Sequence, residues 1–305
     1  MIRTLADIPA RLIATGRRYR YAVICGSDAS TLQAARRAVS AGFAEIQFFG
    51  HTDAVAAAVA AAGPLPEGSV SLIPAADDAE AARQAVSAVS HGRADVLMKG
   101  LIGTATMLRA VLDKQEGLLP SGGTLTHQAV AEWADYGKLL LCCDVAVIPF
   151  PTPQQRRVQV ALAARTCRAM GIDTPRIALI HCSETASDKF PYTTDYAAII
   201  AEAQRGDYGP CLVDGPLDLR TAIDAEALRT KGIESPLEGR ADALIFPDIE
   251  AGNVFYKAVT GMMHLPNACM MAGTTHPVVL PSRGDDADTK YNSMAMAALT
   301  LNRHA

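Results

Sequence analysis

The stretch DVLMKGLIGTATMLRAVLDK, residues 95–114, predicts a buried strand, a glycine loop and a helix. Its first five residues, DVLMK, contain a short apolar run, which is typical of a strand covered on both faces. Gly100 and Gly103 interrupt the run, and residues 104–114 then repeat apolar side chains at helical spacing. The stretch is therefore a βα unit, from which mainly parallel sheets are built.

The same alternation extends in both directions along the chain. Apolar runs predict further strands at 21–25, 45–49, 70–73, 138–148, 176–181, 211–213, 243–246, 268–271 and 278–280. Helical patterns lie between them at 28–41, 77–91, 154–170, 193–205, 221–231, 253–263 and 286–301. A further alanine-rich helix follows the strand at 45–49 and ends at Ala62. This rhythm predicts an α/β fold in which mainly parallel sheets are flanked by helices.

Length and composition agree with two such domains. The chain has 305 residues, of which 50% are hydrophobic and only 5% aromatic, so the cores rest on alanine and aliphatic side chains. Residues 115–123 predict a loop, and we place a domain boundary just before or within the apolar run at 138–148.

The charge and cysteine content exclude several classes of protein. A net charge of −4 leaves no basic excess for a nucleic-acid backbone, so an anionic ligand needs a local site. Seven cysteines without a CxxC or Cys/His cluster argue against a disulfide framework or a zinc site and favour the cytoplasm. We also expect no membrane span and no secretory signal.

Open parallel sheets bind ligands in the loops that follow their strands. Four polar loops have this predicted placement: VLMKGLIGTAT at 96–106, GGTLTH at 122–127, IFPDIEAGNVFYK at 245–257 and VVLPSRGDDADTK at 278–290.

The last of these loops is the best candidate for an anion site. Ser282 and Arg283 follow a strand and precede a predicted helix, whose first amides favour an anion. A hydroxyl and a guanidinium would complete a phosphate site. The alternative is that Ser282 caps the helix while Arg283 pairs with Asp285 or Asp286 on the surface.

The other loops allow functional and structural interpretations. Gly252 permits a close backbone approach, Asn253 can cap a helix or bind a ligand, and Lys257 is an ordinary solvated charge if the helix is only well capped. Lys99 either lines a cleft or lies at a surface strand end. A single histidine such as His127 is more often structural than catalytic.

Several familiar motifs are absent from the sequence. It has no GxxxxGK[ST] loop, no complete GxGxxG, no GxSxG elbow and no HExxH. Nucleotide hydrolysis, serine hydrolase chemistry and zinc peptidase chemistry therefore have no support from motifs.

The polar loops also lie in longer strings that resemble the phosphate acetyl- and butyryltransferase family, and more closely its butyryl branch. The matching strings are ADVLMKGLIGTATMLRAVLDK, GGTLTHQAVAE, CLVDGPLDLRTAI, ADALIFPDIEAGNVFYKAV and PVVLPSRGDDADTKYNSMAMA. Several strings in the right order are far more specific than any one of them. The first ninety residues match only in their βα rhythm.

The resemblance implies a fold and a reaction. The fold is similar to isocitrate and isopropylmalate dehydrogenases, with residues 1–140 and 283–305 in one domain, 141–282 in the other, and the active site in the cleft between them. The reaction converts acyl-CoA and phosphate into acyl phosphate and CoA by direct transfer in a ternary complex. CoA is a substrate, no cofactor is bound permanently, and the chains pair as homodimers without nucleic acid or membrane partners.

The resemblance also implies roles for individual residues. Arg283 holds the phosphate of the acyl phosphate, and Ser282 hydrogen-bonds near the reacting group. A carboxylate further along deprotonates the CoA thiol in the acetyl branch; we place this role at Asp285, although the register leaves Asp286, Asp288 and Thr289 open. The phosphate and substrate pocket is assigned to Lys99, Thr104, Thr126, His127, Gly252, Asn253 and Lys257.

Three rival functions stay open at this point: a non-catalytic acyl-CoA sensor, a metal- and NAD-dependent decarboxylating dehydrogenase of similar fold, and an acyltransferase that acts on an acyl carrier protein. The intact pair of Ser282 and Arg283 favours catalysis over sensing. The dehydrogenase would need clustered metal carboxylates and a nucleotide loop that the sequence lacks. The net charge of −4 argues against an acidic carrier partner.

Overall fold

The structure is a computed structural model that describes residues 2–61, 63, 65–282 and 284–301. The strands are β1 (Tyr19–Ile24), β2 (Ala44–Gly50), β3 (Val70–Pro74), β4 (Val96–Lys99), β5 (Thr126–Trp133), β6 (Lys138–Cys143), β7 (Arg176–Ile180), β8 (Leu212–Leu217), β9 (Ala243–Ile245), β10 (Asn267–Ala272) and β11 (Val278–Val279).

The α-helices are α1 (Asp7–Ala14), α2 (Ala29–Ser40), α3 (Thr52–Ala61), α4 (Asp78–Ser90), α5 (Thr104–Val111), α6 (Pro153–Ala169), α7 (Tyr196–Gln204), α8 (Leu219–Ile223), α9 (Ala225–Thr230), α10 (Ile249–Lys257) and α11 (Ala287–Leu301). A short 3-10 helix, Pro191–Thr193, precedes α7, and a π-helical turn, Ala258–Met262, follows α10. The predicted α/β class, with mainly parallel strands and flanking helices, is confirmed.

The chain forms two compact units. The middle unit contains the residues up to Thr4 and Thr126–Asn267, and the terminal unit contains Leu5–Leu125 and the residues from Ala268 on. These limits differ from the predicted ones, because the predicted boundary at 140/141 falls inside β6. That strand pairs antiparallel with β5, from Gln128 opposite Cys143 to Trp133 opposite Lys138, so the whole hairpin belongs to one unit.

In the terminal unit the strands lie in the order β3-β2-β1-β4-β11-β10, parallel except for the β10/β11 pair. The last helix, α11, packs against α2 and α1 in this unit. The buried Tyr21 hydroxyl of β1 donates to the carbonyl oxygen of Met294 at 2.9 Å. The polar contact therefore ties the C-terminal helix to the central strand of the unit.

In the middle unit the order is β5-β6-β9-β7-β8, with every pair parallel except β5/β6. Helix α6 begins at Thr152 with a capping box that Gln155 completes. The predicted helix at 221–231 is in fact two helices, because Asp224 adopts an extended conformation and its side chain caps α9.

Among the helices of the described residues, none has both the length and the apolar character that a membrane span requires. All seven cysteines lie in the described part of the chain, and none of them forms a disulfide.

A partly buried ion pair fastens α11 to the start of α2. Lys290 Nζ lies 2.8 Å from Asp28 Oδ1 and also donates to Ser30 and Thr31. Burial raises the pKa of Asp28, but the hydrogen bonds that its carboxylate accepts from Lys290, Thr31 and Ser30 outweigh this effect and hold the pKa at about 2. Because this pKa is depressed, the carboxylate stabilises the fold above its unfolded pKa of about 3.9 and loses that effect as the pH falls towards 2.

We predict that Lys290→Met destabilises the protein by about 3 kcal/mol near neutral pH, because it leaves the partly buried Asp28 charge without its cation. The difference between variant and parent should shrink as the pH falls from about 4 towards 2. Thermal melts across this pH range measure both effects. Arg17→Met is the control, since Arg17 is half exposed and Arg20 still holds Asp95; it should cost less than about 1 kcal/mol. Equal losses in the two variants would contradict the prediction.

Candidate functional site

The turn after β6 is organised by a buried carboxylate, that of Asp144. One oxygen, Oδ1, accepts the backbone N–H groups of Ala146 and Val147 at 2.7 and 2.8 Å. The other, Oδ2, accepts the hydroxyl of Thr126 at 2.7 Å and the backbone N–H of His127 at 3.1 Å. The carboxylate thus fixes its own turn and the first residues of β5 together.

Strand direction explains how Thr126 and His127 reach this turn. Since β5 runs antiparallel to β6, its amino end lies beside the carboxyl end of β6. The predicted placement of GGTLTH after a parallel strand was wrong, because the polar pair opens an antiparallel strand. The pair nevertheless lies at the edge where β6, β9 and β7 end.

Thr126 is fully buried and its hydroxyl is already engaged. The hydroxyl oxygen also lies 3.2 Å from Cys143 Sγ. Burial raises the pKa of that thiol, so it keeps its proton. Since a carboxylate only accepts, the threonine proton goes to Asp144 and the cysteine thiol donates to the threonine oxygen.

His127 is buried as well, with 5% of its surface exposed. Neither ring nitrogen has a hydrogen-bond partner among the described residues. Burial lowers the pKa of His127 to about 4; the Asp144 carboxylate opposes this shift, and the Lys257 ammonium adds to it. The imidazole is therefore neutral at neutral pH, with one N–H to donate and one nitrogen to accept.

Helix α10 brings the other predicted residues of the middle unit towards the same turn. Asp248 caps the helix by accepting the backbone N–H of Ala251. Gly252 lies so close to the turn that a Cβ atom there would be 2.1 Å from the carbonyl oxygen of Asp144. Asn253 Nδ2 donates to the carbonyl oxygen of Val145 at 2.8 Å, while Lys257 is exposed at the end of the helix. Gly252 and Asn253 therefore have the structural roles that the sequence left open.

In the terminal unit, Lys99 ends β4 and is buried, with its Nζ donating to the carbonyl oxygen of Gly100 at 3.1 Å. It is not a surface lysine. Thr104 is the exposed first residue of α5. The backbone N–H of Gly100 donates to the carbonyl oxygen of Ile24, so this loop lies against the carboxyl end of β1.

The segment after β11 forms a tight turn. The exposed Ser282 donates its backbone N–H to Asp285 Oδ2 at 2.8 Å, and Asp285 returns its own N–H to the Ser282 carbonyl at 3.2 Å. Asp286 accepts the N–H of Thr289 at the start of α11, so Asp286 and not Ser282 is the cap. The alternative reading of Ser282 as a helix cap was wrong. Arg283 lies outside the described residues.

The structure thus brings Thr126, His127, Gly252 and Asn253 together around Asp144 in the middle unit, within the electrostatic reach of Lys257. Ser282 and Asp285 share a turn in the terminal unit. Sequence reasoning missed Asp144, although an aspartate inside the apolar run KLLLCCDVAVI is a signal, because a charged side chain is rarely buried without partners. No group of three metal-ligating side chains is poised to hold an ion among the described residues.

Comparisons with known proteins bear on the whole chain. The sequence pattern of the phosphate acetyl/butaryl transferase family matches residues 68–298. The chain is 37% identical over 280 residues to phosphate butyryltransferase of Clostridium acetobutylicum, covering 92% of each chain. It is 34% identical over 287 residues to phosphate acetyltransferase of Thermotoga maritima, covering 94% of this chain and 97% of that one. A branched-chain phosphotransacylase from Enterococcus faecalis V583 has a similar structure, with a TM-score of 0.80, 28% identity, and coverage of 93% of this chain and 99% of that one.

We predict that Gly252→Ala destabilises the protein. The new Cβ atom would lie 2.1 Å from the Asp144 carbonyl oxygen, so the backbone of the turn or of the helix would have to shift. Overpacking of this kind typically costs about 1–3 kcal/mol. Gly261→Ala is the control, because a Cβ there meets nothing within 4 Å; it should be neutral or slightly stabilising. Denaturant melts of both variants measure the difference. A Gly252→Ala protein as stable as the Gly261→Ala protein would show that the helix does not need this close approach.

Proposed function

Since this chain belongs to the phosphate acetyl/butaryl transferase family, we propose that it exchanges coenzyme A for inorganic phosphate on a short acyl group. The supporting observation is that identity of 37% extends over 92% of both this chain and a phosphate butyryltransferase. The likeness therefore extends over both units and is not confined to one of them. The rival functions of sensor and dehydrogenase have no comparable support.

The reaction breaks one bond and forms another at the acyl carbon. A phosphate oxygen attacks the thioester carbonyl, the C–O bond forms, the C–S bond breaks, and CoA leaves as a thiolate that takes up a proton. Negative charge develops on the carbonyl oxygen during this step, so fixed hydrogen-bond donors near it accelerate the reaction. Holding both substrates in one ternary complex supplies a further part of the acceleration.

We assign the chemistry to residues by their match to the family strings. Arg283 grips the phosphate, Ser282 hydrogen-bonds near the reacting carbonyl, and Asp285 exchanges the proton with the CoA sulfur. The engagement of Asp285 with the Ser282 backbone N–H keeps this carboxylate beside the serine. Lys99 and Thr104 contribute to the substrate pocket from the carboxyl end of β4 and the start of α5.

Further parts of the proposal rest on the resemblance. We propose that the protein works as a homodimer in the cytoplasm, with CoA as a substrate and no permanently bound cofactor. The seven cysteines, none in a disulfide, are compatible with a reducing compartment. The dehydrogenase-like arrangement of two domains, with the active site in the cleft between them, stays a prediction.

We predict phosphate-dependent release of free CoA from short acyl-CoAs, with butyryl at least as good as acetyl, because the matching strings lie closer to the butyryl branch. A thiol-release assay over acyl chains of two to six carbons, with and without phosphate, measures it. The same assay with a chelator and without nicotinamide should give unchanged rates. Absence of phosphate-dependent release with every chain length would refute the proposed function.

We predict that Arg283→Lys strongly impairs turnover although the protein stays folded. A lysine keeps the charge but loses the planar fork that binds a phosphate bidentately. Loss of one donor to developing charge costs about 2.7–4 kcal/mol, or roughly a hundred- to a thousand-fold in rate. Turnover, the KM for phosphate and a thermal melt separate this from an effect on stability.

The matched control is Arg220→Lys, which changes an arginine whose side chain is 77% exposed in a pair with Asp224. It should leave turnover unchanged. Parent-like turnover and phosphate affinity in both Arg283→Lys and Arg283→Ala would mean that the phosphate site lies elsewhere.

A further inference from the structure

We propose that Asp144 is a positioning residue of the active site, that Thr126 serves only to hold it, and that the ring of His127 hydrogen-bonds an oxygen of the substrate. This rests on the proposed function. The resemblance already places His127 in the phosphate pocket, and the inference keeps that role but changes the one given to Thr126. Asp144 itself has no role in the resemblance.

Thr126 cannot donate a hydrogen bond to phosphate in this geometry. Its single hydroxyl proton lies on the 2.7 Å hydrogen bond to Asp144, and the Cys143 thiol occupies one of its acceptor positions. A polar side chain that is buried and fully engaged supports its neighbours and does not bind a substrate.

The Asp144 carboxylate offers about four acceptor positions. Donors of Thr126, His127, Ala146 and Val147 occupy them. An asparagine of the same shape has only one oxygen. If that oxygen accepts the N–H groups of Ala146 and Val147, the NH₂ group of the asparagine faces the backbone N–H of His127. Both groups are donors, so no hydrogen bond forms between them. The substitution therefore releases the start of β5 without changing side-chain volume.

His127 is the side chain that this arrangement leaves available. Its backbone is fixed by Asp144, its ring is nine-tenths buried, and both ring nitrogens lack a partner among the described residues. Leaving a buried polar group unpaired is unfavourable, and a substrate oxygen would supply the missing partner on binding. The oxygen belongs to the phosphate or to the acyl carbonyl, since both are hydrogen-bond acceptors of the same reaction.

The test compares kcat and the two KM values in a small set of variants. Thr126→Val removes the donor to Asp144 and should lower kcat about a hundred-fold by misplacing His127, whereas Thr126→Ser keeps the donor and should restore most of the activity. Asp144→Asn should lower kcat to a similar extent. His127→Gln should raise the KM for phosphate if the ring binds the phosphate, or lower kcat with both KM values unchanged if it binds the carbonyl.

Asp242→Asn is the matched control. Asp242 is another buried aspartate of the middle unit, but it precedes β9 and pairs with Lys138 and the backbone N–H of Arg176 at the opposite end of the strands. It should lower the melting temperature and leave kcat of the folded protein unchanged. All assays are run well below each melting temperature, with circular dichroism as the check on folding.

Parent-like kcat and KM values in folded Thr126→Val would overturn the inference even if Asp144→Asn fails to fold. Equal loss of activity in Thr126→Val and Thr126→Ser would also overturn it, because the donor would then be irrelevant. A parent enzyme without phosphate-dependent CoA release is a different result, which rejects the proposed function itself.

Discussion

The middle unit depends on a negative charge kept away from solvent. A buried carboxylate is costly unless donors satisfy it, and Asp144 meets this condition through a hydroxyl and backbone N–H groups of two separate segments. The turn after β6 and the start of β5 can therefore adopt only conformations that point these donors inward. The carboxylate thereby fixes backbone positions that hydrophobic packing alone would leave adjustable.

The backbone of the same turn limits the helix that follows β9. The Asp144 carbonyl oxygen lies where any side chain at Gly252 would have to go, and Asn253 holds the next carbonyl oxygen, that of Val145. Because Asp248 fixes the first turn of α10, the helix cannot slide along its axis to relieve a bulkier residue. Side-chain and backbone constraints on one turn thus set the relative positions of β5, β6 and α10 within the middle unit.

Most elements were predictable because buried parallel strands are continuous apolar runs and the helices between them have clear periodicity. The antiparallel β5 was not, since THQAVAEW mixes polar and apolar residues and its strand character comes from pairing with β6. The break between α8 and α9 was also hidden: Asp224 is compatible with a continuous helix until its side chain is seen to cap the next one.

Family strings located the polar loops, but they could not tell which side chains are committed to the fold. The strings assign Thr126 to the phosphate pocket without showing that its hydroxyl is hydrogen-bonded to Asp144. Asp144 itself was missed within an apolar run.

The protonation state of His127 follows from the same burial. A charged imidazole beside Asp144 would be attracted to its carboxylate, and this attraction alone would raise the pKa of His127. Burial and the Lys257 charge outweigh this attraction and keep the pKa of His127 at about 4. The ring N–H consequently does not donate to the Asp144 carboxylate, whose acceptor positions are already occupied. In a chain of net charge −4, an anionic substrate meets no general attraction, so donors held in place at a local site decide its binding. A neutral N–H recognises an acceptor oxygen by distance and direction.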